Sequence, residues 1–464
     1  MFDGVTECLE RIISVLWGPA TVILFLAVGA YFSIRLGVPQ LLRIKLWLIS
    51  PLKTLFGKRK SNKGVLCTVL AATAGTGNIV GVAAALMAGG AGSVFWMWVS
   101  AFFGMALGFS ENVLGFYYRK HQNGGGFSGS AAFYIEKGLK SKPLAILFNI
   151  ACALAAFGIG NLTQGNSLVG GISAVANDIG VPFGSKNALF AGIAVAALAA
   201  PVILGGKDRI AKTAERIVPA AVVAFLAVSV IIVGLNYKRI IPSITAILYD
   251  AFDFKSAMGG AVGFCISKAM RVGLSRGLFS HEAGMGTSVF IHASAKSDSP
   301  TETGFFSMFE VFVDTVVVCT LTALVILTSG VYDNKTPITN AAQLVSAAFS
   351  SVLGDAGSIF VAILLFVFAF ATILGWGCFG QTALSCVTKR VLPYKIVYIA
   401  AIPLGCVLQM QFCWYLSDIL NWVMAILNVF AITVLSKKVF EISKDNLGKG
   451  IRIKNGTKKG SGNT

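Results

Sequence analysis

Long apolar runs alternate with short polar loops along almost the whole chain. The first run extends from about Ile12 to Phe32, and ten more occupy residues 65–90, 92–118, 143–175, 187–205, 217–235, 256–278, 304–329, 356–378, 394–410 and 414–436. At ~1.5 Å of rise per residue such runs can cross a hydrocarbon layer of ~30 Å as helices. The pattern therefore predicts an all-α polytopic membrane protein of about eleven transmembrane helices.

Two runs are poor helices in their middles. Ala71 to Val82 reads AATAGTGNIVGV, with Gly75, Gly77 and Gly81 among Thr73, Thr76 and Asn78. Glycine weakens a helix, and polar groups at bilayer depth must be satisfied by protein or by an enclosed cavity. Glycines at this spacing also suit close helix packing. The interleaved Thr and Asn favour a binding site. The run 256–278 holds Gly259, Gly260, Gly263, Gly273 and Gly277, for which packing and function weigh equally when it is taken alone.

The ten runs after the leader form two groups of five, residues 65–235 and 236–436, and each group opens with a Gly-interrupted run. Five is odd, so the groups must be inverted relative to one another. Interrupted spans at corresponding places in inverted halves point to a substrate site near the midplane. The third run of each group is also polar: Asn161, Thr163, Gln164 and Asn166 in the first, Thr372, Trp376 and Gln381 in the second. A buried amide costs ~2–7 kcal/mol unless paired, so Gln164 must face protein or water. Trp376, flanked by Gly375 and Gly377 deep in its run, reads as a pocket wall more readily than as an interfacial belt residue.

Composition agrees with this class. Of 464 residues, 56% are hydrophobic and 12% charged, outside the range of ordinary soluble domains. The net charge of +18 is spread between apolar runs and forms no nucleic-acid-binding stripe. The loop before Gly64 carries Arg35, Arg43, Lys45, Lys53, Lys58, Arg59, Lys60 and Lys63, which marks it as cytoplasmic and the N-terminus as external. Loops then assigned outside hold Arg11, Lys186, Lys238, Arg239, Lys255 and Lys335 out of 38 basic residues. The C-terminus falls inside, on a basic tail (437–464) expected to be disordered. The first acids precede any basic region, so residues 1–64 read as a leading helix plus loop and not as a cleavable signal. The nine cysteines show no CxxC pair and read as small core residues.

The buried acids Glu111 and Asp314 call for partners, with Arg271 or Arg276 the expected ones in an ion pair at the inner end of the bundle. Lys268 and Arg271 read as snorkelling to the inner interface, and His281 as a solvated loop residue. Enzyme signatures such as HExxH and GxSxG are absent from the sequence, so an enzyme is not expected. A channel would need a continuous pore, which two broken helices in inverted repeats suit less well than alternating access.

Several segments together resemble the alanine/glycine:cation symporter family. They are GTGNIVGVAAAL followed by SVFWMWVSAFFGMALGFSE, then YIEKGL at 134–139, FGIGN at 157–161, ERIVP at 215–219, RGLFSHEAGMG at 276–286, FVDT at 312–315 and FAFATILGW at 368–376. The resemblance covers roughly residues 65–380. It implies the leucine-transporter type of fold, two inverted five-helix repeats with one extra leading helix, in the cell membrane. It also implies symport of small neutral amino acids with sodium and no further cofactor or obligatory protein partner.

Carried over by position, the resemblance implies substrate contacts from Thr76, Gly77, Asn78, Gln164, Gly263, Phe264 and Trp376. The substrate carboxylate would sit on N–H groups near Thr76 and Gly77, with Gln164 and Trp376 framing a small pocket. Sodium would take the carbonyls of Ala71 and Ala74 and the hydroxyl of Thr372, the oxygen ligands a hard cation prefers. The chain departs from the family pattern at Gly129–Tyr134 (GSAAFY), Lys268, His281 and Gln381, and at Ala371, where the family has a serine that supplies a further sodium ligand. A proton-coupled or uncoupled carrier, or a transporter-like amino-acid sensor, is the alternative that Ala371 leaves open.

Overall fold

The protein is described from a computed structural model, which covers residues 2–56, 75–121, 127–252, 268–294, 299–332 and 340–448. Its long helices are α1 (Phe2–Leu16), α2 (Pro19–Arg35), α3 (Val80–Gly89), α4 (Gly92–Tyr117), α5 (Lys142–Asp178), α6 (Ser185–Leu204), α7 (Lys207–Leu235), α8 (Ile240–Ala251), α9 (Lys268–His281), α10 (Pro300–Ser329), α11 (Ala341–Leu353), α12 (Asp355–Ser385), α13 (Leu392–Val407), α14 (Met410–Val434) and α15 (Ser436–Gly448). Among the described residues, seven are long and apolar enough to cross a membrane, and α1 with α2 makes an eighth if the pair is one span. The expected runs at 65–90 and 256–278 are described only from Gly75 and Lys268 onward.

The helices differ from the apolar pattern where local chemistry intervenes. The leading run is bent by 42° between Leu16 and Pro19, because Gly18 is extended and Pro19 opens a new helix. The segment expected to be a disordered tail begins as α15 instead. Val439 and Ile442 are buried one turn apart, and Phe440 packs 5.8 Å from the Phe32 ring with the Arg35 guanidinium over its other side. An apolar stripe hidden in an otherwise charged sequence thus packs the helix against α4 and α10, with Phe440 reaching α2.

The side chains left outside are those a bilayer would cover. Phe190 on α6, Val223 on α7 and Leu404 on α13 are exposed by 69%, 66% and 59%, a pattern that in water would be costly and in lipid is not. Trp376, Tyr134 and Tyr398 are fully buried instead.

Helix α4 is the rail along which the site is built. It packs on α9 and α10, and α9 runs parallel to it. A Cβ on Gly273 would meet Ser93 and Trp96, one on Gly277 would lie 2.8 Å from Ser100 Cβ, and one on Gly104 would lie 2.8 Å from His281 Cε1. Gly273 and Gly277 therefore serve close approach to α4 within a continuous helix, not a break.

Helix α9 ends at His281, and residues 282–288 leave it level with the middle of α4; the expected break at Gly259, Gly260 and Gly263 lies outside the described residues. Glu282, Gly284 and Gly286 take positive φ values of 53°, 86° and 79°, the conformation that ends a helix and turns its N–H groups outward. Lys268 and Arg271 correspondingly lie toward the α3–α4 turn, since Val272 packs on Gly89. His281 is buried, not solvated. Its Nδ1 accepts from the Ala283 N–H at 3.1 Å and its Nε2 lies 2.9 Å from Ser100 Oγ.

Candidate functional site

The chain enters α3 through a single 3-10 turn at Thr76–Asn78, every residue of which is buried. Asn78 organises that turn. Its Oδ1 accepts from the Gly75 N–H at 3.1 Å, its Nδ2 donates to the carboxylate of Asp314 and, at 3.2 Å, to the Asp314 carbonyl, and its own carbonyl accepts from Thr322 Oγ1 at 2.7 Å. A broken backbone deep in an apolar bundle requires this kind of accounting.

The facing wall is α5, where a π-helical turn at Gly158–Leu162 displaces the regular hydrogen bonds. Gln164 repairs one of them, donating from Nε2 to the Ile159 carbonyl at 2.7 Å, and with Oε1 it accepts from Thr76 Oγ1 at 2.6 Å. Gly160 has no room for a Cβ because Trp376 of α12 lies against it. Tyr398 ties the two helices together by donating to the Gly160 and Ile373 carbonyls at 3.0 and 2.9 Å.

The third wall is the end of α9. A Cβ on Gly77 would stand 3.2 Å from Phe279 Cδ1 and 3.5 Å from Ser280 Cα, so the first interruption touches the last turn of α9. Between these walls lies a small cavity lined by Gly75, Gly77, Asn78, Ile159, Gln164, Phe279, Ser280, Glu282 and Thr372. It has room for about one water, so an amino acid would enter only as the walls move apart.

Of the residues expected from the sequence, Gly77, Asn78, Gln164 and Thr372 share this cavity, and Thr76 hydrogen-bonds to its wall. Trp376 stands one layer behind, donating from Nε1 to Glu282 Oε1 at 3.0 Å. Ala71, Ala74, Gly263 and Phe264 lie outside the described residues. Phe279, Ser280 and Glu282 were not singled out as site residues from the sequence. The glycine pair in EAGMG, with its capacity for positive φ, was the available signal for a helix end there.

The buried acids are satisfied without the expected arginines. Asp314 takes hydrogen bonds from Asn78, from Ser280 Oγ at 2.7 Å and from Thr315 Oγ1 at 2.9 Å. Glu111 accepts from the Gly284 and Gly286 N–H groups at 3.1 and 3.0 Å, from Ser288 Oγ at 2.9 Å and from Asn428 Nδ2 at 2.7 Å. This acid holds the 282–288 loop to α4 and α14. Arg276 pairs instead with Asp418 of α14, its guanidinium 4.3 Å from the Trp414 ring centroid. A charged pair within reach of neutral donors is not the only way to bury a carboxylate.

The Thr372 hydroxyl is the unfinished group. The residue is 8% exposed, lines the cavity, and its Oγ1 has no hydrogen-bond partner among the described residues. A buried oxygen left without a partner is expensive unless a ligand completes it.

Comparison with known proteins gives this arrangement a lineage. The model of the sodium:alanine symporter family matches residues 2–458. The chain is 36% identical over 447 residues to the sodium/alanine symporter AgcS of Methanococcus maripaludis, covering 93% of this chain and 95% of the relative. It is 35% identical to the probable sodium/glutamine symporter GlnT of Bacillus subtilis, covering 95% and 91%, and 34% identical to the putative sodium/proton-dependent alanine carrier YrbD of the same organism, covering 93% and 90%. The chain belongs to the sodium:alanine symporter family and is a multi-pass membrane transporter of that family.

Proposed function

We propose that the protein is a secondary active symporter that imports small neutral amino acids of the alanine and glycine class together with Na⁺. It works by alternating access between two inverted five-helix repeats, residues 65–235 and 236–436. The observation that carries the reading is the cavity between the Thr76–Asn78 turn and the end of α9, with the Thr372 hydroxyl unpartnered in its wall. Backbone at the Thr76–Asn78 turn suits the substrate carboxylate, because N–H groups at a helix start carry a partial positive charge. Carbonyls of Ala71 and Ala74 with the Thr372 hydroxyl would supply oxygens to Na⁺. The basic loop before Gly64 and the basic C-terminus would face the cytoplasm.

Saturable counterflow tests the carrier mechanism. Proteoliposomes preloaded with unlabelled alanine should take up labelled alanine transiently above its equilibrium level, whereas a channel or a sensor would give no overshoot. Within the same reading, Gln164→Leu should weaken alanine binding by about 1–3 kcal/mol, since it deprives Thr76 Oγ1 and the Ile159 carbonyl of their partner. Displacement of labelled alanine measures this. Unchanged affinity for every small amino acid would remove Gln164 from the site.

A second reading is favoured by one residue. The chain has Ala371 beside Thr372, where the family resemblance implies a further hydroxyl, and this suits a carrier coupled to protons or to no ion. The coupling experiment that closes the Discussion separates the two.

A further inference from the structure

We propose that Glu282 is the anionic group of the site and receives the α-ammonium of the transported amino acid. The inference rests on the amino-acid reading above and adds to it the group that distinguishes an amino acid from other small carboxylates.

The acids near the interrupted helices are not equivalent: Glu111, Glu310 and Asp314 are buried, Glu310 beside His292, whereas Glu282 is half-buried. Asp314 and Glu111 are each enclosed by several donors from the protein. Glu282 is the one that lines the cavity. Among the described residues no lysine, arginine or histidine forms an ion pair with it. A carboxylate in an apolar bundle without a cation is costly, and a cation delivered by the ligand offsets that cost.

The surrounding structure aims this carboxylate. Glu282 adopts a positive φ of 53°, unusual for a residue with a side chain, while its N–H still closes the last turn of α9 on the Leu278 carbonyl at 2.9 Å. Trp376 Nε1 holds Oε1 at 3.0 Å from the α12 side, and the indole is itself fixed by its packing on Gly160. The strained backbone and the buried indole together present the carboxylate to the cavity, with no cation paired to it among the described residues.

The opposite wall completes the chemistry. Gly75 and Gly77 of the first interruption face the same space, as does the unpartnered hydroxyl of Thr372, which is an independent sign that a ligand occupies it. A zwitterion presents its carboxylate and its ammonium on adjacent atoms. The cavity offers backbone at a helix start for the first and Glu282 for the second. Lactate, which keeps alanine's carboxylate and size but carries a hydroxyl in place of the ammonium, would leave the Glu282 charge without its partner.

The test is the affinity ratio of alanine to lactate, measured by displacement of labelled alanine from the purified full-length protein in detergent with Na⁺ present. Wild type should prefer alanine strongly. Glu282→Gln should lower alanine affinity by about 10- to 100-fold, the scale of a hydrogen bond to a charged group, and collapse the ratio. Direct calorimetric titration of alanine and lactate into Glu282→Gln reads the same ratio where its affinity for labelled alanine falls below the displacement range. Glu282→Asp should keep the preference while binding alanine less tightly. If Glu282→Gln is not monodisperse, Trp376→Phe, which removes the donor that aims the carboxylate, should lower the same ratio. An unchanged ratio, or an equal loss for both ligands, would overturn the assignment. Wild-type protein that binds no amino acid would overturn the transport reading instead.

Discussion

Replacing Arg276 with leucine should destabilise the detergent-solubilised protein by about 3–5 kcal/mol. Arg276 and Asp418 have side chains only 11% and 3% exposed and form an ion pair across α9 and α14. The guanidinium also lies over the Trp414 ring, which is 4.5 Å from Phe279, a wall of the cavity. Ser275 Oγ, at 3.4 Å from Asp418 Oδ1, is too weak a donor to hold the carboxylate alone. Removal of the arginine leaves a buried charge unpaired. Arg276→Leu combined with Asp418→Leu should recover most of the loss, because it takes both charges out together. Thermal unfolding of the three proteins checks this, and a single variant as stable as wild type would show that the pair does not bind the helices together.

The second large effect concerns the ion. Thr372→Ala should abolish stimulation of alanine uptake by sodium, since it removes the hydroxyl that stands unpartnered in the cavity. Its neighbour Ala371 is buried at 4% exposure and offers no side-chain oxygen. Ala371→Ser should therefore lower the sodium concentration for half-maximal uptake by supplying one more ligand, the kind of increment that tunes hard-cation sites. Uptake assays across a sodium series on both variants decide it. Sodium stimulation that survives Thr372→Ala would place the ion elsewhere.

The membrane class was legible because twenty-residue apolar runs leave few alternatives. The first interruption was legible too. Thr76, Gly77 and Asn78 combine weak helix formers with polar groups in a stretch that tolerates neither unless the backbone is used.

The end of α9 was harder to read, because glycine has two uses in a membrane helix. Gly273 and Gly277 admit α4 and Glu282, Gly284 and Gly286 end the helix, while Gly259, Gly260 and Gly263 lie outside the described residues. Composition cannot separate close packing from positive φ. Partner choice was also hidden: sequence pointed Arg276 to Glu111 and Asp314, yet its partner is Asp418 on α14, 142 residues away, because sequence separation does not report which helices pack together. The α5 turn at Gly158–Leu162, which gives Gln164 its carbonyl partner, depends on the packing of Gly160 against Trp376 and is a tertiary effect. The helix α15 was masked by its charged residues, which surround a short buried stripe.

The most direct test of the central claim is uptake of labelled alanine into proteoliposomes under an imposed inward sodium gradient. The account predicts accumulation above equilibrium that a sodium ionophore abolishes and that an equal proton gradient in sodium-free buffer does not reproduce. Equal accumulation in sodium-free buffer under a proton gradient, unaffected by Thr372→Ala, would contradict it.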